Sequence, residues 1–182
     1  MPQPEINSEF DLLASIASYV RKDFDEQEQI WEGSPFEWIK SLPAARRGKL
    51  GKHLVSAWCA AKGLSIDVSK DSEADLLING HRVEIKFSTL WKVGTYRFQQ
   101  IRDQNYEYAT CLGISPFQAH CWVISKELLR QHVIGHMPQH TGSKGTETFW
   151  IIVDPENIPA WLEKCGGTLD EAFVVLNNLS KR

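Results

Sequence analysis

Apolar residues Phe10, Leu13, Ile16, Val20 and Phe24 recur at helical spacing. They predict an amphipathic helix over residues 8–32 whose apolar face lies in the core. Ser34-Pro35-Phe36-Glu37 combines an N-cap serine, a proline at the first helical position and a glutamate three residues after the cap. This predicts a short second helix ending near Pro43, with Trp38 packed inside. Leu50, Leu54, Val55, Trp58 and Ala61 predict a third helix from Ala44 to about Lys62, stopped by Gly63.

From Leu64 onward the period changes to two. Residues 64–69 alternate apolar and polar, and ADLLI and HRVEIKF flank Asn79-Gly80, the dipeptide that favours a two-residue hairpin turn. A short helix is expected over Arg97 to Gln104, then strands over Tyr108 to Ile114 and Ala119 to Ile124, parted by Ser115-Pro116. A helix over Lys126 to Val133, a polar loop from Gly135 to Gly145, a strand over Thr148 to Val153 and one or two closing helices over Ile158 to Leu179 complete the prediction. Strands on both sides of a crossover helix argue for a mixed sheet in one layered α/β domain.

The 182 residues suffice for one core but not readily for two, so the chain reads as a single domain over 1–182. Its core spans about 44–125, after an N-terminal helical part (1–43) and before a C-terminal extension (126–182). The start of the sequence lacks a basic and apolar leader, and no run approaches the roughly 18 apolar residues of a membrane span, so a soluble, cytoplasmic protein is expected. The four cysteines form no CxxC pair and read as buried reduced thiols. His132, His136 and His140 share helical spacing suited to zinc, but Gly135 and Pro138 interrupt any such helix.

The formal charge of −3 excludes a chain that coats nucleic acid by bulk electrostatics. Local charge is a separate matter. Arg46, Arg47, Lys49 and Lys52 crowd the start of the third helix, where N–H groups and the dipole favour phosphate. The same run also suits a solvated helix start.

Within the hairpin, a two-residue turn pairs Ile78 with His81 and, by continuation, Asp75 with Glu84 and Glu73 with Lys86. Directly opposed carboxylates destabilise a hairpin. A divalent cation would resolve the conflict, since magnesium takes hard oxygen ligands and keeps positions for water and a substrate phosphate. Glu84 and Lys86 share one face of the strand, and the ammonium could orient an attacking water or offset charge on phosphorus. The plainer alternative is an exposed strand with a Glu73–Lys86 ion pair.

At Asp75, Glu84 and Lys86 the chain resembles the PD-(D/E)xK nuclease superfamily, the restriction-endonuclease-like fold, and in particular its small stand-alone type II restriction enzymes. The resemblance covers Ala44 to Ile124. It implies a mixed sheet flanked by helices, with an αβββαβ core, N-terminal helices and a C-terminal strand and helix. It implies magnesium-dependent hydrolysis of double-stranded DNA, leaving 5′-phosphates, with manganese able to substitute. Asp75, Glu84 and the backbone carbonyl of Ile85 would bind the ion, with Glu73 as a further candidate, and Lys86 would manage the water. Ala74 stands where the family's proline is usual. Many members also carry a metal-supporting glutamate on the first core helix, where this chain offers Lys52 or His53.

DNA contacts are expected from the helix start, from Lys92, Arg97, Gln99 and Gln100 after the motif strand, and from His136, Gln139, His140 and Lys144 in the later polar loop, although each loop could be plain surface. The resemblance leaves room for a homodimer and for a cognate DNA methyltransferase. Two alternatives stay open: a repair or junction-resolving nuclease of the same superfamily, and an inactive DNA-binding module.

Overall fold

The computed structural model describes residues 8–70, 72–139 and 147–179; within the first helix, the side chains of residues 8 and 22–28, including Phe24, lie outside the described residues. The helices are α1 (Ser8–Gln29), α2 (Glu37–Lys40), α3 (Ala44–Ala61), α4 (Lys126–His132) and α5 (Leu169–Asn177). The strands are β1 (Ile66–Val68), β2 (Leu76–Ile78), β3 (His81–Thr89), β4 (Tyr96–Ile101), β5 (Tyr108–Ile114), β6 (Ala119–Ser125), β7 (Phe149–Val153) and β8 (Gly166–Thr168). They form a six-stranded sheet, ordered β1-β2-β3-β5-β6-β8, and a separate β4-β7 pair. The large sheet is mixed, because β3 and β5 run parallel while its other pairs are antiparallel.

The Asn79-Gly80 turn forms as expected. Both residues take positive φ, 51° and 85°, which a type I′ turn requires. The ladder pairs Ile78 with His81 and Leu76 with Val83. Gly63, at φ 82°, follows α3 as a helix stop.

The expected helix over Arg97 to Gln104 is instead β4, antiparallel to β7. Tyr96, Phe98 and Ile101 are fully buried, and a register shift between Phe98 and Ile101 inserts one residue into the alternation. That bulge converts a period of two into an apparent i, i+3 spacing, which imitates a helix. The ordered core is therefore a helix, four strands and two strands. The β4–β7 ribbon lies so close on the sheet that a Cβ on Gly113 would sit 2.8 Å from the Tyr96 ring. Parallel neighbours need a crossover, commonly a helix; between β3 and β5 this ribbon strand supplies it.

Two apolar clusters sandwich the sheet. One joins Tyr96, Phe98, Ile101, Cys111, Trp122 and Leu129. The other joins Val55, Cys59, Ile78, Val83, Ile85, Leu112 and Leu176 on the side of α3 and α5. The C-terminal segment belongs to this body: β8 extends the sheet beside β6, and α5 starts on a full Thr168–Glu171 capping box. All four cysteines are buried and free, and burial pushes the Cys59 and Cys111 thiols up to about 12.

Two packing expectations are corrected. Phe10, Leu13 and Ile16 of α1 are about half exposed or more, because the sheet face is already covered by α3 and α5. Trp38 is 53% exposed, whereas Trp31 and Ile39 take the buried places near α2. Ser34 does not cap α2 directly; its hydroxyl accepts from Phe36 N and donates to the Pro116 carbonyl, tying this segment to the β5–β6 turn. Among the described residues no helix is long and apolar enough to cross a membrane.

Candidate active site

A cleft of about 630 Å3 opens between the start of α3, the outer half of β3 and the bulge of β4. Helix and strand meet there at minimal distance: a Cβ on Gly51 would fall 2.3 Å from Phe87 Cβ. Only a glycine permits that approach, and it carries the next residue, Lys52, to the carboxylates of the hairpin.

Asp75, Glu84, Ile85 and Lys86 all line this cleft. The β2–β3 ladder ends at Leu76, so the expected ladder pairing of Asp75 with Glu84 is not formed. Asp75 instead turns its carboxylate across the strand. Its Oδ2 accepts from Ile85 N at 2.8 Å, and Oδ1 pairs with the Lys52 ammonium. Glu84 Oε1 pairs with Lys86 Nζ at 2.8 Å. The side chains of Asp75, Glu84 and Lys86 are only 10–14% exposed, so these interactions are screened less than surface pairs. The repulsion inferred from sequence is therefore relieved by two lysines, one acid each.

Lys86 has a second partner, the Gln100 carbonyl, at 2.8 Å. Gln100 sits in the β4 bulge with φ 56°, a left-handed conformation uncommon outside glycine. Its N–H donates to Gln139 Oε1 at 2.6 Å. The expected ladder pairing of Glu73 with Lys86 is not formed, because the ladder ends at Leu76; Glu73 is exposed and does not line the cleft.

The basic candidates divide. Arg47, Lys49, Lys52 and Arg97 line the cleft with Gln99 and Gln100. Arg46, His53, Lys92 and His136 are exposed outside its lining. His140 and Lys144 lie outside the described residues. Arg97 is held at the rim by its backbone N–H, which donates to Ser88 Oγ at 2.9 Å. Its guanidinium lies 4.1 Å from the Trp91 ring centre and 5.9 Å from that of Trp150, a cation–π arrangement that holds a planar cation in one orientation. The local pattern Trp-Lys-Val-Gly marks the turn but not Trp150, which arrives from β7.

Five cationic side chains, Arg47, Lys49, Lys52, Lys86 and Arg97, face the cleft against two carboxylates. The chain as a whole is acidic, whereas this cleft carries more cations than acids. Such a surface attracts polyanions.

The donor set suits a hard divalent ion. Two carboxylates and Ile85 line the same cleft, and among the described residues no group of three His, Cys, Asp or Glu that could hold a metal occurs. Magnesium is commonly held in this sparse way, by one or two carboxylates with water and substrate oxygens.

No known family and no curated protein matches the chain. Among solved structures, a bacterial homing endonuclease, I-Ssp6803I, is similar at a TM-score of 0.48 with 13% identity, over 74% of this chain and 92% of that one.

Proposed function

We propose that this protein is a metal-dependent endonuclease acting on double-stranded DNA, of the restriction type, with the PD-(D/E)xK arrangement at Asp75, Glu84 and Lys86. The observation that carries this reading is the placement of two partly buried carboxylates and a braced lysine inside a cleft that is otherwise cationic. The cations would hold the DNA backbone, which dominates affinity without reading sequence. Asp75, Glu84 and the Ile85 carbonyl would hold magnesium, or manganese in its place. The bound ion supplies Lewis-acid stabilisation of charge on the scissile phosphate.

Lys86 has three N–H donors, and the described partners take two: Glu84 Oε1 and the Gln100 carbonyl. The third is left for the attacking water or a phosphate oxygen. Water oxygen forms a bond to phosphorus, the 3′ oxygen leaves with its electron pair and takes a proton, and the product strand begins with a 5′-phosphate. Incubation with unmodified phage DNA and magnesium tests this directly. Discrete fragments from the native protein and intact DNA with Lys86→Ala are expected, whereas DNA untouched across divalent metals overturns the reading.

A further inference from the structure

We infer that Lys52 keeps the metal position closed until a phosphodiester enters the cleft, so that metal and DNA bind together rather than independently. This rests on the nuclease reading and concerns how that site is loaded. Lys52 pairs with Asp75 Oδ1, while Asp75 Oδ2 is committed to Ile85 N. Of the two Asp75 oxygens, the one that accepts no backbone N–H is thus the one the ammonium occupies. Glu84 is likewise matched by Lys86.

The two acids and their two lysines sum to zero charge, and Arg47, Lys49 and Arg97 add positive charge around them. A divalent ion approaching the DNA-free cleft meets no net attraction and competes with an ammonium for Asp75 Oδ1. An entering phosphodiester changes both conditions. It brings negative charge beside the acids, and it offers Lys52 a second anion within the same cleft. Lys52 can make that exchange because its side chain is 49% exposed on a flexible stem, whereas Asp75 is fixed and 10% exposed. Linkage then requires that metal strengthen DNA binding by the factor with which DNA strengthens metal binding. Lys52 is a positioning residue in this scheme, acting through Asp75.

The test is Mn2+ affinity of the DNA-free protein, followed by loss of the free-ion paramagnetic signal. Lys52→Gln should bind Mn2+ more tightly than the native protein, within the roughly 5–150-fold range of such couplings. Lys52→Arg should remain weak, and Asp75→Asn added to Lys52→Gln should abolish the gain. A short duplex should raise the native affinity and raise that of Lys52→Gln much less. Equal Mn2+ affinity for the native protein and Lys52→Gln, with and without duplex, overturns the inference, and overturns it alone if the native protein cuts DNA. If no variant holds Mn2+ through Asp75 or Glu84 and DNA stays intact, the nuclease reading falls as well. Circular dichroism of each variant separates these outcomes from loss of fold.

Discussion

Lys86 Nζ donates to the carbonyl of Gln100 at 2.8 Å, and that carbonyl is aimed by a backbone at φ 56°. A strained bulge on one sheet thus braces the candidate catalytic lysine of another. Gln100→Ile puts a β-branched side chain where left-handed backbone costs about 1–2 kcal/mol. It should lower the urea midpoint and the cleavage rate together. Gln100→Gly keeps the geometry without that strain and should cleave near the native rate.

Removing the ammonium itself has a sharper outcome. Lys86→Ala should lower the cleavage rate by about 10²-fold or more, as for loss of a preorganised donor. Glu84→Gln should act through the metal and be partly relieved by raising its concentration. Single-turnover cleavage at two magnesium concentrations distinguishes them.

Salt dependence reports which cations meet phosphate. Arg47 lines the cleft and Arg46 beside it does not. Arg47→Gln should reduce the magnitude of the slope of log K against log salt by about 1. Arg46→Gln should leave the slope unchanged in the same fluorescence titration.

Helix α3 contains two glycines in opposite circumstances. A Cβ on Gly48 meets nothing within 4 Å, whereas on Gly51 it would collide with Phe87. Gly48→Ala should stabilise the fold by about 0.4–1 kcal/mol. Gly51→Ala should cost about 1–3 kcal/mol through forced displacement of the helix. Urea unfolding of the two variants reads both signs.

His120 gives a pH signature. Its Nδ1 lies 2.9 Å from the Tyr96 hydroxyl and its ring stacks on Trp122; burial lowers its pKa, opposed in part by Glu156. The unfolded chain therefore takes up this proton at higher pH than the folded one. The stability linked to His120 is complete above about 6.5, the ordinary imidazole value, and is lost as pH falls through the folded value below it. Urea midpoints at pH 7.5 and 5.5 should converge in His120→Gln relative to the native protein.

The hairpin was legible because Asn79-Gly80 admits few registers, and the structure keeps the one it implies as far as Leu76. Other features escaped for specific reasons. The bulge at Gln99 and Gln100 made a strand look helical. Strand β8 is Gly166-Gly167-Thr168, which has no apolar alternation to read; a Cβ on Gly166 would lie 2.6 Å from the Cys121 carbonyl, so close packing removed the signal. The apolar stripe of α1 was visible, but a stripe does not say whether its partner face is already taken. Lys52 is visible in the sequence on the first core helix, yet its pairing with Asp75 depends on the close α3–β3 approach at Gly51, which spacing along the chain does not encode.

Strand β3 is complete by Thr89, but the ribbon that carries Gln100 needs β7, which begins at Phe149. During synthesis, both acids and the lysine emerge about sixty residues before β7, the strand that pairs with β4. A chain ending short of Phe149 holds all three side chains and Gln100 without the ladder partner of the strand that carries Gln100. The ribbon beside the proposed cutting site thus joins two segments far apart in the chain, and it can close only after most of the protein has been made.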